Sequence, residues 1–226
     1  VEINPIAMPP NAPDTGTEPV PVFSREWTEM VKTATDEAEK RGMIADSIVG
    51  SGWPFGGRFL KSEESIEGIG LARKTVKGPS HFKAKIENLV KLPHIRFEVD
   101  NPPEPQVRFI RLVPEGAHEI EDVVDLTDRL EDGVLEFEVP EGTHTLYIGT
   151  WREGFTGVMH GASGADGQVL DHMDRSAVRS YLTRTSDTLN PVLGGTLGDG
   201  LRAIFCDSIE LSGANWTSDF AEENNL

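Results

Sequence analysis

Residues 201–211 read LRAIFCDSIEL, an apolar strand that runs into two acids. Phe205 and Cys206 read as buried strand. Asp207 and Glu210 then bracket Ser208 and Ile209 before Ser212-Gly213 breaks the run. Parallel α/β barrels keep their chemistry at the carboxyl ends of their strands, and a strand ending Asp-Ser-x-Glu delivers carboxylates to such a rim. The question for the rest of the chain is whether other segments build strands that run the same way.

Residues 1–8 read as a short strand that stops at Pro9-Pro10. A loop rich in Pro, Gly and Asp follows to about Pro21. Ser24 offers an N-cap oxygen, and Trp27, Met30, Val31, Ala34 and Ala38 fall on one helical face, with Gly42 as the C-terminal stop. MIADSIVG at 43–50 is a compact apolar strand. Strand, loop, helix, strand is the grammar of a parallel βαβ unit. The same grammar returns at 167. GQVLDHMD predicts a short strand, and Asp174 caps a helix whose inner face is Ala177, Val178, Tyr181 and Leu182. A strand over 201–209 follows, and Thr217 opens a further helix.

Between these pieces the pattern changes. HFKAKIENLV at 81–90, HIRFEV at 94–99, QVRFIRLV at 106–113 and THTLYIGTW at 143–151 are rich in β-formers. Leu135, Phe137 and Val139 alternate with Glu136 and Glu138, which puts the first three inward and the acids outward. Asp132-Gly133 and Pro140-Glu141-Gly142 read as turns. The chain is therefore α/β with an inserted antiparallel β module. Residues 1–75 form the first parallel-type piece, 76–162 the insert, and 163–226 the continuation, incomplete at its C-terminus.

A net charge of −17 and a pI near 4.7 argue against nucleic acid and against anionic membrane surfaces. They suit a secreted or periplasmic protein, the expected location, and equally an acidic cytosolic one. Cys206 is the only cysteine, so there is neither an internal disulfide nor a cysteine metal cluster. No apolar run approaches the roughly 18 residues of a membrane span, and no signal peptide is visible.

Three stretches carry candidate chemistry. GSGWPFGG at 50–57 follows a strand directly, but it holds neither the P-loop Lys-Ser/Thr pair nor a GxGxxG. Trp53 is either a stacking platform for a sugar ring or a buried Trp in a structural turn. LDHMD at 170–174 puts Asp171 and His172 at a strand end. His172 can bind a metal or a substrate hydroxyl, or simply be hydrogen-bonded. In FCDSIEL, Asp207 and Glu210 have the residue types glycoside hydrolysis needs, where one carboxyl protonates the leaving oxygen. The competing reading has both acids solvated or capping nearby amides.

Taken together, GSGWPFGG, GQVLDHMDRSAVRSYL and RAIFCDSIELSGANWTSDF, in this order, resemble glycoside hydrolase family 106, the α-L-rhamnosidases. VDLTDRLEDGVLEFEVPEGTHTLYIG also resembles the insertion within that family's barrel. Arg58 stands where the pattern leads one to expect proline. The resemblance covers nearly the whole chain but only the first half of such a catalytic domain. It implies a partial (β/α)8 TIM-type barrel carrying β insertions. It implies an inverting hydrolase that releases L-rhamnose from plant or algal polysaccharides or glycosides. Glu210 is then the general acid, supported by Asp207. Trp53, Asp171, His172, Asn215 and Trp216 become candidates for holding the rhamnose-containing carbohydrate. A calcium ion contacting sugar hydroxyls is also implied, with Glu2, Asp207 and Glu210 as candidate ligands. The second catalytic glutamate is expected beyond Leu226. The remainder of the same polypeptide, or a second chain, would complete the barrel, because a half-built barrel leaves an open edge. The alternative from a different class is a non-catalytic carbohydrate-binding protein on a degenerate glycosidase scaffold.

Overall fold

Two sheets of opposite character divide the computed structural model, which describes residues 1–9, 11–14, 16–95 and 99–220. The first is parallel and has three short strands, β1 (Glu2–Ile3), β2 (Asp46–Ile48) and β8 (Ala203–Phe205), in the order β1-β2-β8. Its register aligns Glu2 with Asp46 and Asp46 with Ala203. The second is antiparallel. It contains β3 (Glu67–Lys85), β4 (Gln106–Pro114), β5 (Val124–Asp125) and β7 (Val134–Glu153) in the order β3-β7-β4-β5, with β6 (Leu130–Glu131) paired to β7. The helices α1 (Arg25–Lys40) and α2 (Arg175–Leu193) both belong to the α/β part.

The local chemistry explains these elements. Ser24 Oγ accepts from the Trp27 amide at 3.1 Å and starts α1, while Gly42, at φ 65°, turns the chain out of it. Trp27, Val31 and Ala38 bury the inner face of α1 against Leu189 and Leu193 of α2, with Leu201. Met30, expected on that face, is 59% exposed beside a groove between α1 and residues 3–8. Asp174 caps α2 through the amides of Ser176 and Ala177. Ala177 and Tyr181 are buried, but Leu182 is 46% exposed because no described element covers its side of the helix.

In the antiparallel sheet Leu135, Phe137 and Val139 point into a core with Ile110, Leu112, Leu146 and Ile148, and Glu136 and Glu138 point out. Asp132 and Gly133 both have positive φ and close a two-residue hairpin between Leu130-Glu131 and Val134-Leu135, the I′ geometry the dipeptide favours. The turn expected at Pro140-Glu141-Gly142 is not a turn. β7 runs on through it, and the extra residues form a bulge where the pairing with β3 shifts between Gly78 and Ser80. β3 begins at Glu67 and runs through the boundary expected at residue 75. The strand expected at 94–99 falls in part on residues 96–98, outside the described ones, and the helix expected from Thr217 falls in large part on residues 221–226, also outside them.

Two parallel strands differ from expectation. Residues 167–171 do not join the parallel sheet. They sit between two loops in antiparallel bridges, Gly56 with Val169, Ser65 with Leu170 and Gly157 with Gln168. A segment this short, with only Val169 and Leu170 apolar, fits either pairing, and the neighbours decide. β8 stops at Phe205, so 206–211 are irregular and Cys206 is exposed rather than buried.

Candidate functional site

The carboxyl ends of β1, β2 and β8 meet at one rim, and three loops are sewn together there. Ser51 Oγ donates to the Pro5 carbonyl at 2.6 Å and accepts from the Ala162 amide at 2.8 Å. Trp53 exchanges two backbone hydrogen bonds with Met159, each 2.9 Å. The Ala7 amide donates to the His160 carbonyl at 2.9 Å. The glycines of the 50–57 loop serve this packing. A Cβ on Gly52 would run into the Met159 carbonyl, and one on Gly56 into the carbonyl of Gln168. Arg58 closes the far end of the loop on Asp166, at 2.5 and 3.0 Å.

Within this frame Trp53 is half-buried, and its indole Nε1 donates to Asp207 Oδ2 at 2.7 Å. A bond to an ionised acceptor is among the stronger hydrogen bonds, so it fixes both the ring plane and the carboxylate. The His160 ring stands edge-on to Trp53, with centroids 5.9 Å apart. His160 has φ 57°, an uncommon conformation for a residue with a side chain. Sequence reasoning missed His160, since nothing local marks it.

Glu210 follows on the same segment and is half-buried, with the Ser212 amide donating to its carbonyl at 2.7 Å. The segment is held at both ends. Upstream, the Val49 amide donates to the Phe205 carbonyl at 2.8 Å. Downstream, Asn215 uses its whole amide on the Ile69 backbone, accepting from N at 2.7 Å and donating to O at 2.9 Å. Trp216 bridges Glu67, and Thr217 Oγ1 donates to Asp171 Oδ2 at 2.7 Å. Asp171 is only 1% exposed, and its other oxygen accepts the Met173 amide at 2.9 Å. Of the expected sugar-binding residues, Asp171 and Asn215 therefore spend their hydrogen bonds on the chain itself. Trp216 packs on Phe220 at 4.7 Å and borders a different cavity.

His172 donates from Nδ1 to the Leu170 carbonyl at 2.6 Å and lies against Phe55, centroids 4.6 Å apart. Its Nε2 is buried with no hydrogen-bond partner among the described residues, and burial holds the imidazole below its ordinary pKa. Glu67 is a second residue the sequence reading missed. It is 5% exposed and accepts from Trp151 Nε1 at 2.8 Å. Burial raises its pKa above the usual carboxylate value, opposed by that bond and reinforced by nearby Asp171 and Glu153. The signal was present: a lone acid between Ile66 and Ile69 in an otherwise apolar strand start.

The implied calcium does not fit the described residues. No group of three or more His, Cys, Asp or Glu side chains among them comes together in a way that would hold a metal. Glu2, a candidate ligand, opens β1 at the level of Ala203, the opposite end of the sheet from Asp207.

A family model described as alpha-L-rhamnosidase, glycoside hydrolase family 106, matches residues 107–225. No curated protein matches the chain. Among solved structures, the rhamnosidase from Novosphingobium sp. PP1Y is similar, with a TM-score of 0.53 at 15% identity, over 93% of this chain and 36% of that one. The likeness is one of fold, a mixed α/β arrangement of sheets and helices, and the chain spans little more than a third of that protein's length. No described helix is long and apolar enough to cross a membrane. With the family model covering more than half of its residues, the chain belongs to the α-L-rhamnosidase family, glycoside hydrolase family 106.

Proposed function

We propose that the protein hydrolyses α-L-rhamnosidic bonds in plant or algal polysaccharides or glycosides, with inversion at the anomeric carbon. Residues 1–226 supply the first part of a (β/α)8 catalytic domain, and polypeptide outside them closes the barrel. Glu210 is the general acid. It gives its proton to the leaving oxygen as the bond from that oxygen to the sugar breaks. Water adds from the opposite face and passes a proton to a second carboxylate, which lies outside this chain and roughly 6.5–9.5 Å from Glu210. Trp53 offers a ring face to the sugar, and Asp207 locks that ring. Calcium, if bound in the complete domain, would draw its donors from outside the described residues, and no step is routed through it.

The observation that carries this reading is the Trp53–Asp207 hydrogen bond at the carboxyl-end rim, on the segment that also carries Glu210. Removing such a stacking face is worth roughly 1–3 kcal/mol if sugar stacking resembles base stacking. Trp53→Ala is therefore expected to raise KM on rhamnosides about tenfold or more while the protein stays folded.

Proton NMR of the freshly released sugar tests the reaction. With an aryl α-L-rhamnoside and the complete catalytic domain, β-L-rhamnose is expected to appear first and then mutarotate. First appearance of the α-anomer would show retention and overturn the mechanism. No release of rhamnose would overturn the activity and favour the non-catalytic carbohydrate-binding alternative.

A further inference from the structure

His160 sits where the chain changes partners at the rim. Met159 before it is bridged to Trp53, and Gly161 after it is bridged to Ile6. The chain passes from one loop to the other by a left-handed turn, with His160 at φ 57° and its carbonyl accepting from the Ala7 amide at 2.9 Å. That conformation suits glycine, because a Cβ crowds the following carbonyl oxygen. Gly50 and Gly52 take it in the neighbouring loop, at φ 77° and 72°. A residue held against its backbone preference at such a place points to a task for its side chain.

The imidazole adds nothing to a core, since His160 is exposed. Among the described residues its ring contact is Trp53, with centroids 5.9 Å apart and planes at 84°. Perpendicular rings at that distance are a favourable aromatic pair. Trp53 is itself half-buried, so solvent-side rotamers compete with the hydrogen bond from its Nε1 to Asp207 Oδ2. His160 stands beside the indole as a second restraint, on a different loop from Asp207. The loops themselves do not depend on the imidazole. Trp53 and Met159 are joined through backbone, the Gly57 amide donates to the Gln168 carbonyl at 2.9 Å, and Arg58 pairs with Asp166. Ring and frame can therefore be separated by substitution.

We propose that His160 is a positioning residue, whose ring confines the Trp53 indole to the orientation in which Asp207 holds it and the sugar stacks on it. The proposal rests on the reading of Trp53 given above. His160 acts through Trp53 and needs no contact with substrate. What it supplies is a flat ring at a fixed place, so another aromatic ring serves in its stead. Phe23 already takes a comparable backbone conformation in this chain, at φ 66°.

The test removes the ring while easing the backbone. In the complete domain, His160→Gly is expected to fold and to melt no lower than the parent, because glycine accepts the left-handed turn. His160→Asn, which also tolerates it, removes the ring with a side chain kept. In both, solvent exchange of the Trp53 indole N–H, assigned in NMR spectra with Trp53→Phe, is expected to quicken about two- to tenfold, the worth of one aromatic pair. KM for an aryl α-L-rhamnoside should rise by up to that factor, with kcat little changed. His160→Phe should restore slow exchange and most of the KM. In a Trp53→Ala background, His160→Gly should change KM no further. Unchanged exchange, or an unchanged KM, in both ring-less variants would overturn the proposal. So would a KM rise that persists without Trp53, since His160 would then meet the substrate itself. A drop in melting temperature with exchange unaltered would also overturn it and make His160 a structural residue. If no rhamnoside is turned over, the activity reading fails by itself, and the exchange rates decide the restraint on Trp53 separately.

Discussion

The antiparallel sheet and the parallel sheet hold themselves together in different ways. β3 and β7 pair from Glu67–Glu153 to Lys85–Val134, a ladder interrupted by one bulge, and Ile110, Leu135 and Leu146 behind it are fully buried. That region carries its own pairing and its own core. The parallel sheet has strands of two or three residues, and β1 and β8 are its edges among the described residues. Loop side chains hold its rim instead: Ser51 on Pro5, Trp53 on Asp207, Asn215 on Ile69, Thr217 on Asp171. The candidate chemistry lies on the side that depends on these fastenings. A regular ladder positions backbone, whereas hydrogen-bonded loops at strand ends can aim individual side chains.

The largest expected effect separates the two regions. Leu146→Ala deletes a fully buried side chain from the antiparallel core and should destabilise it by about 2–5 kcal/mol. Hydrogen exchange should show protection falling in β3, β4 and β7 and persisting in α1 and α2. A uniform loss of protection would mean the regions unfold as one unit and break the contrast. Next is the fastening between them. Asp171→Ala leaves the Thr217 hydroxyl and the Met173 amide without an acceptor, at about 1–3 kcal/mol. It should lower the melting temperature and slow turnover, while Asp171→Asn, which keeps an acceptor, should do less of both. Equal effects of the two variants would show that the charge, rather than the hydrogen bonds, matters.

The smallest effect is electrostatic. Glu67 has a folded-state pKa raised above its unfolded value, so its contribution to stability is fully present below the unfolded pKa and is lost as pH rises through the folded one. Glu67→Gln keeps an acceptor for Trp151 and removes this loss. The variant should gain stability over the parent at about pH 8, and the gain should vanish toward about pH 4. A gain that grows on acidification would reverse the sign and contradict the assignment.

What could be read in the sequence was what short-range chemistry decides. Ser24 and Gly42 frame α1, Asp174 caps α2, and Asp132-Gly133 makes its hairpin because the dipeptide tolerates positive φ at both positions. The alternation of Leu135, Phe137 and Val139 fixed which side is buried. What failed depended on partners distant in sequence. Val169 and Leu170 at the centre of 167–171 suit a parallel strand, yet the 55–66 and 156–158 loops claim the backbone of this segment. Pro140-Glu141-Gly142 has turn composition, but β3 opposite it absorbs the extra residues as a bulge. In the site, the Trp53 loop and the Asp207 segment were singled out separately, and only the fold puts them 2.7 Å apart. Asn215 and Asp171 were read as facing a sugar because polar residues in a distinctive motif give no hint that the chain itself uses them.

The central claim is that Glu210 protonates the departing oxygen, and leaving-group dependence tests it most directly. Glu210→Gln, in the complete catalytic domain, is compared with the parent on alkyl or glycosyl rhamnosides and on a rhamnoside with an activated aryl leaving group. General acid catalysis contributes roughly 10²–10⁴-fold, and an activated phenol needs little of it. The account predicts a loss of that order on the poor leaving groups, a much smaller loss on the activated one, and nearly unchanged KM on both. An equal loss on both substrates would contradict it and make Glu210 a base or a structural residue.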